Sequence, residues 1–199
     1  MKKIGLMGGT FDPPHLAHLI IAEEALETCG LDAVWFIPSY QPPHVQGKFA
    51  HSSAADRVEM VRRAIRCNDR FKLEQTEIER KGPSYTVDTL RALRRTYPEC
   101  SFYFIIGADM INDLPTWHGV AELCKLTSFI GFSRPGYVAR PPAFADVSYI
   151  EMPTLDISSS ALRKRLSEGR TCKYFLTDTV LDYIKERQLY GINGSGTGN

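Results

Sequence analysis

Two clusters of polar residues, near opposite ends of the chain, have the types and spacing of a phosphate-binding site. The first is GGTFDPPHLAH, residues 8–18. Paired glycines let backbone N–H groups approach an anion closely, and His15 and His18 share one face where a helix starts. Two imidazoles beside such N–H groups suit a polyphosphate. Two packing histidines or a metal pair are the alternatives, and a zinc site would need a third well-spaced ligand nearby.

The second cluster is ISSSALR, residues 157–163. Ser158 and Ser159 stand where a helix begins, so their hydroxyls and free N–H groups could meet phosphate. Arg163 lies four residues after Ser159, which places both on one face, and its guanidinium can hold two phosphate oxygens. The alternative is an ordinary serine cap with a surface arginine, and only the pairing with the first cluster favours the phosphate site.

The elements that must position these clusters alternate between strand and helix. Strands are predicted over residues 3–7, 33–37, 71–76, 102–106, 129–132 and 147–150, and helices over 18–28, 55–67, 158–167 and 177–187. A further helix would run from an N-cap at Ser84 to about Tyr97. This alternation predicts an α/β fold, a doubly wound (Rossmann-like) parallel sheet with helices on both faces. Ligands of such sheets lie beyond the carboxyl ends of the strands, which the predicted chemical residues follow.

Composition limits the class of protein. Hydrophobic residues make up 43% of the 199, and 24 basic against 23 acidic residues give a net charge of +1. Such a chain can bury a hydrophobic core without disulfide bonds or structural metals. It lacks the excess of basic residues expected for nucleic-acid binding. Its five cysteines form no CxxC pair, which favours a reducing cytoplasm. No apolar stretch is long enough to span a membrane.

The motifs together resemble a known family. GGTFDPPHLAH and ISSSALR are similar to the two signatures of the HxGH nucleotidylyltransferase superfamily. IIGADMINDLPTWH (105–118), FSRPGY (132–137), SYQPPH (39–44), GPSYTVDTL (82–90) and YIKERQLYG (183–191) resemble bacterial nicotinate-nucleotide adenylyltransferases, in order and over nearly the whole chain. Two positions depart from the pattern: Ala17 replaces the glycine of HxGH, and Val45 stands where a basic residue often follows PPH.

The resemblance implies transfer of the adenylyl group of ATP to nicotinate mononucleotide, giving deamido-NAD and pyrophosphate. His15, His18 and Arg163 would be catalytic. The implied ATP site comprises Gly8, Gly9, Thr10, Phe11, His15, His18, Gly107, Asp109, Ile157, Ser158, Ser159 and Arg163. The implied nicotinate mononucleotide site comprises Gly9, Thr10, His44, Lys48, Thr86, Trp117, His118 and Arg134. Mg²⁺ would arrive with ATP, and no resident metal is expected.

Residue by residue, alternatives stay open within this site. Lys48 would replace the charge missing at Val45. Asp109 would accept from ribose hydroxyls or would cap a helix. Trp117 would offer its face to a pyridinium ring or would pack in the core, and Arg134 would hold the mononucleotide or be an ordinary loop arginine.

Rival functions fit the sequence less well. Another transferase on the same scaffold, such as pantetheine-phosphate adenylyltransferase, is disfavoured by GADMINDLPTWH and FSRPGY, whereas a preference for nicotinamide mononucleotide alters few residues. A catalytically silent nucleotide-binding module is disfavoured by the intact histidines, serine and arginine. A dehydrogenase is excluded because the first turn lacks GxGxxG. We therefore expect a cytoplasmic enzyme with a single domain over residues 1–191 and a flexible tail over 192–199; a homo-oligomer stays open.

Overall fold

A parallel sheet organises the chain in the computed structural model, which describes residues 1–41, 50–132, 140–151 and 155–192. The strands of this described part are β1 (Lys2–Gly9), β2 (Ala33–Pro38), β3 (Phe71–Leu73), β4 (Cys100–Gly107), β5 (Ser128–Phe132) and β6 (Val147–Ile150). Their order across the sheet is β3-β2-β1-β4-β5-β6, and each neighbouring pair is parallel. The predicted doubly wound α/β fold is confirmed.

Helices cover both faces of this sheet. They are α1 (Leu16–Thr28), α2 (Ala54–Ile65), α3 (Thr76–Arg80), α4 (Thr86–Thr96), α5 (Ala108–Asp113), α6 (Val120–Leu126), α7 (Ser159–Ser167) and α8 (Asp178–Glu186), with 3₁₀ turns at Leu114–Thr116 and Leu189–Gly191. Alternate strand residues feed two separate cores. Met7 of β1 joins the core under α1, α2, α7 and α8, whereas its neighbour Leu6 joins the core under α4, α5 and α6.

The strand order reverses at the centre of the sheet: β1 to β3 follow one another toward one edge, and β4 to β6 toward the other. β1 and β4 pair there, with Leu6 opposite Phe104, and they end at Gly9 and Gly107. Helices that follow the two strands leave on different faces, which opens a crevice at their carboxyl ends. Both predicted glycine-containing turns therefore reach the same crevice.

Some predicted boundaries are wrong for local reasons. The predicted strand over 71–76 ends at Leu73, because the Glu74 carboxylate accepts hydrogen bonds from the N–H and hydroxyl of Thr76 and helix α3 begins there. Ser84 is not the cap of α4; Tyr85 holds that position. The hydroxyl of Ser84 instead accepts from the N–H groups of Tyr40 and Gln41. Sequence periodicity also missed α3, α5 and α6, which have five to seven residues each.

Two predicted irregular segments fall partly outside the described residues. Residues 42–49 of the predicted loop over 39–53 and residues 193–199 of the predicted tail are among those not described. In the part of the chain that is described, no helix has the length and apolar character needed to cross a bilayer.

Candidate active site

The loop between β1 and α1 forms the floor of the crevice. Gly8 and Gly9 are the last residues of β1 rather than part of a turn after it, which corrects the predicted boundary. Each has a steric reason to be glycine. A Cβ on Gly8 would lie 3.1 Å from the Phe104 ring, and one on Gly9 would lie 3.1 Å from the ring of Phe11. Phe11 itself is buried and has a φ of 52°, a left-handed conformation that starts the loop.

His15 and His18 lie together at the start of α1, as their spacing predicts. His15 is the N-cap residue of the helix, and the two rings stack with centroids 3.7 Å apart. The backbone N–H of His15 donates to Nδ1 of His18 at 3.1 Å. Because Nδ1 accepts this hydrogen bond, the neutral ring of His18 carries its proton on Nε2. His18 is thereby set up as a hydrogen-bond donor at its outer nitrogen.

The second motif docks directly on this loop. The hydroxyl of Ser159 donates to the carbonyl of Pro13 at 2.8 Å, and Nη1 of Arg163 donates to the carbonyl of Asp12 at 2.7 Å. Ser158 is the N-cap of α7, and its hydroxyl accepts from the N–H of Ala161. Since the hydroxyl proton of Ser159 is already used, the amide N–H groups at the start of α7 and the remaining N–H groups of Arg163 are the donors left for an anion.

A basic cavity adjoins the docked motif. Its volume is about 430 Å³, and it is lined by His51, Ser160, Arg163, Lys164, Ser167 and Tyr190. The cationic and hydroxyl side chains give it the character of a phosphate-binding recess. Ile157, the first residue of the motif, packs its half-buried side chain against the core.

Asp12 is the hub of the loop, and sequence reasoning did not single it out. Its buried carboxylate accepts from the Tyr190 hydroxyl at 2.6 Å on Oδ1. On Oδ2 it accepts from the backbone N–H groups of His51 at 2.6 Å and Ser52 at 3.3 Å. Burial and the hydrogen bond to Asp12 raise the pKa of Tyr190 far above its ordinary value, so the phenol stays a donor. The sequence signal for this role of Asp12 was its position between Phe11 and two prolines.

Arg57 of α2 is a second residue that was missed. Its side chain is buried, and Nη1 donates to the carbonyl oxygens of Thr10 at 2.9 Å and Ser39 at 2.6 Å. Burial lowers the pKa of Arg57, and the charge of Asp12 opposes that shift. The guanidinium thus joins the loop after β1 to the segment after β2. A signal was present, because an arginine occupies the apolar face of a helix, in line with Met60, Val61 and Ala64.

Gly107 and Asp109 lie across the crevice from the loop. Gly107 ends β4 and is the N-cap residue of α5, so the alternative in which Asp109 caps that helix is wrong. Asp109 stands half-buried in the first turn of α5, where a carboxylate is favoured by the helix dipole. Its predicted contact with ribose hydroxyls stays a prediction.

A second group of predicted residues gathers around the start of α4. The rings of Tyr85 and His118 lie against each other with centroids 4.4 Å apart and planes tilted by 34°, and Thr86 is the first residue of α4. His118 is exposed, whereas Trp117 is 6% exposed and meets Phe104 edge-on with centroids 6.1 Å apart. The indole therefore belongs to the core as well as bordering this group, and its cation–π role stays a prediction.

The structure brings together most of the predicted residues and leaves some unplaced. His15, His18, Ser159 and Arg163 meet around residues 10–15, although they come from opposite ends of the chain. Thr86, Trp117 and His118 form the separate group around Tyr85. His44, Lys48 and Arg134, together with Val45, lie outside the described residues.

Comparison with known proteins agrees with this geometry. A model of the cytidylyltransferase-like family matches residues 6–165. The chain is 48% identical to a probable nicotinate-nucleotide adenylyltransferase of Shouchella clausii, over 97% of this chain and 99% of that one. It is 46% identical to the Oceanobacillus iheyensis protein of the same name, over 96% and 98%.

A solved structure shares the fold at lower identity. The nicotinic acid mononucleotide adenylyltransferase of Plasmodium falciparum, complexed with NaAD, superposes with a TM-score of 0.80 at 24% identity, covering 97% of this chain and 99% of that one. The order of the sheet, the two motifs joined on one loop and near-complete alignment at almost half identity lead to one assignment. The chain belongs to the nicotinate-nucleotide adenylyltransferase family.

Proposed function

We propose that the protein transfers the adenylyl group of ATP to nicotinate mononucleotide, forming deamido-NAD and releasing pyrophosphate. The observation that carries this proposal is the docking of Ser159 and Arg163 on the loop that bears His15 and His18. That contact gathers phosphate-binding groups at the carboxyl ends of β1 and β4. The relatives named above, of near-equal length, carry the same activity in their names.

The chemistry needs placement and charge stabilisation rather than a general base. The nucleophile is a phosphate oxygen of the mononucleotide, which is already ionised near pH 7. It attacks the α-phosphorus of ATP, the bond to the bridging oxygen breaks, and pyrophosphate leaves. We assign Nε2–H of His18 to an oxygen of the α-phosphate, where negative charge grows in the transition state. The fixed tautomer of His18 means that this donor is aligned before the substrate binds.

We place the β- and γ-phosphates at the start of α7. Arg163 lines the basic cavity described above, and we assign its remaining N–H groups, with the amide N–H groups at the start of α7, to these phosphates. Phe11 and Gly107, at the ends of β1 and β4, would border the adenosine, and Asp109 would meet its ribose. We call residues 10–18 and 157–163 the phosphate end of the site.

Mg²⁺ would enter with ATP. The donor set of the phosphate end is imidazole, guanidinium, hydroxyl and amide, which suits phosphate oxygens rather than a hard cation. Both oxygens of the Asp12 carboxylate already accept hydrogen bonds. Phosphate oxygens and water would therefore hold Mg²⁺, which supplies further neutralisation of phosphate charge.

The pyridine end of the site comprises Tyr40–Gln41, Ser84–Thr86 and Trp117–His118. Thr86 begins an eleven-residue helix, so the first N–H groups of that helix lack intrahelical partners and can donate to a carboxylate. A nicotinate carboxylate gains from such donors, whereas a nicotinamide would present its own N–H groups to them. His44, Lys48 and Arg134 would add contacts from segments outside the described residues. A single domain over 1–191, the cytoplasmic location and the oligomeric state stay predictions.

One assay tests the proposal and its rivals together. Pyrophosphate release is measured with ATP and Mg²⁺ while nicotinate mononucleotide, nicotinamide mononucleotide or phosphopantetheine is supplied side by side. We expect the highest kcat/KM with nicotinate mononucleotide. A higher value with either competitor would replace the acceptor that we propose, and no release with any of them would support the silent binding module.

A further inference from the structure

A buried carboxyl group lies beneath the pyridine end and takes no part in the chemistry proposed above. Glu77 of α3 is 8% exposed, and the hydroxyl of Thr89 donates to its Oε1 at 2.7 Å. Ser84 and Arg80 are the other groups that act on this carboxyl, and both favour its ionised form. Burial is the main cause that raises the pKa of Glu77, against the opposing pull of these partners.

Ser84 connects this carboxyl to the backbone of another segment. Its Oγ accepts from the N–H of Tyr40 at 3.0 Å and from the N–H of Gln41 at 3.3 Å. Its own backbone N–H donates to the carbonyl of Gln41 at 2.9 Å. A hydroxyl has one proton and two lone pairs. With both lone pairs used by amides, the proton of Ser84 goes to Glu77, which fixes the orientation of the hydroxyl.

The two segments joined in this way are those that form the pyridine end. Residues 40–41 follow β2. Ser84 precedes Tyr85, whose ring packs at a tilt against that of His118, and Thr86, which starts α4. We propose that Glu77 is a positioning residue for the nicotinate mononucleotide, acting through the Ser84 hydroxyl to set the spacing between residues 40–41 and 84–86. This inference rests on the proposed function, because it assumes that the acceptor binds between these segments.

A purely structural role predicts a different outcome. A buried carboxyl group costs free energy through desolvation, so a chain that needed only packing at this position would be as stable with an amide. If Glu77 served the core alone, replacement by glutamine would change both substrates' constants equally or neither. A positioning role instead predicts a change confined to the mononucleotide.

The test compares two isosteric variants of the same helix. Glu77→Gln removes the charge that orients Ser84, and Glu79→Gln is the matched control because Glu79 is exposed on α3. Steady-state pyrophosphate release gives KM for each substrate. We expect Glu77→Gln to raise the KM for nicotinate mononucleotide about tenfold, because a neutral amide is a weaker acceptor than a carboxylate and can turn its N–H groups toward Ser84. The KM for ATP should stay within about twofold, and the control should match wild type.

Equal increases in both KM values, or none in a folded variant, would overturn the inference. Ser84→Ala provides a second route should Glu77→Gln fail to fold, because it removes the same hydroxyl and should give the same one-sided increase. Hydrogen exchange separates this inference from the proposed function. If wild type released no pyrophosphate with nicotinate mononucleotide, the proposed function would be rejected. Faster exchange at the amides of Tyr40 and Gln41 in Glu77→Gln would still support the positioning contact. Unchanged exchange would refute it.

Discussion

At the phosphate end, four side chains from distant parts of the chain hold residues 10–13, whereas at the pyridine end one pair of rings and one hydroxyl join the segments. Arg57, Ser159, Arg163 and Tyr190 each bond to that four-residue stretch. The rings of Tyr85 and His118 pack against each other at a tilt, and the Ser84 hydroxyl accepts from the N–H groups of Tyr40 and Gln41. The reacting phosphates are thus given a rigid, preorganised frame, while recognition of the acceptor depends on fewer, separable contacts.

The largest expected effect comes from removing the donor at the phosphate end. His18→Ala should lower kcat about a hundredfold, a usual loss for one preorganised charge-stabilising donor. His118→Ala is the comparison at the other end and should change mainly the KM for nicotinate mononucleotide. Pyrophosphate-release kinetics of both variants measure the contrast. A folded His18→Ala enzyme with wild-type kcat would remove His18 from the mechanism.

Arg57→Met tests how much the hydrogen bonds that hold residues 10–13 contribute to the free energy of unfolding. The change removes the charged donor of the half-buried Thr10 carbonyl and of the buried Ser39 carbonyl, and we expect a loss of about 3 kcal/mol in the free energy of unfolding. Arg62→Met is the matched control, since Arg62 lies on the same helix with its side chain 54% exposed. Denaturant unfolding compares the two. Equal small losses would show that the burial of Arg57 does not translate into stability.

Tyr190→Phe removes one hydroxyl from the Asp12 hub. It should cost about 1–2 kcal/mol of unfolding free energy, because Oδ1 of Asp12 loses its donor, and it should raise the KM for ATP more than that for the mononucleotide. Tyr174→Phe, at a side chain 79% exposed, serves as the control. Chemical denaturation and substrate kinetics give both quantities. A rise only in the KM for the mononucleotide would contradict the proposed division of the site into a phosphate end and a pyridine end.

The smallest effect concerns the pH dependence of stability at Glu77. Its pKa is raised in the folded chain, so the folded state holds that proton more tightly than the unfolded state. This stabilisation is present below the ordinary glutamate pKa and is lost as the pH rises through the raised value. As the pH rises from the ordinary glutamate pKa through the raised value, the free energy of unfolding of wild type should therefore fall relative to that of Glu77→Gln. Denaturant midpoints at a series of pH values test the sign, and a parallel course for both proteins would contradict it.

Sequence reasoning recovered what depends on pattern and missed what depends on distant contacts. The alternation of strands and helices predicted the sheet, and the two motifs were rightly expected to meet. Asp12 and Tyr190 were missed because they meet across 178 positions of the chain, which no local spacing encodes. Arg57 stood visibly on the apolar face of α2, but its acceptors Thr10 and Ser39 belong to other segments. Ser84 has the residue type and position of a helix cap, but its hydroxyl accepts a hydrogen bond from the N–H of Tyr40 instead. The short helices α3, α5 and α6 have too few turns for a period to register.

The bond between Tyr190 and Asp12 joins residues 178 positions apart. During synthesis the six described strands emerge before this tyrosine, so the loop after β1 gains this anchor only after those strands have been made. A chain interrupted after α7 would contain these strands but would lack the Tyr190 hydroxyl that donates to Asp12. A truncated translation product could therefore form the sheet and still have an incomplete phosphate end.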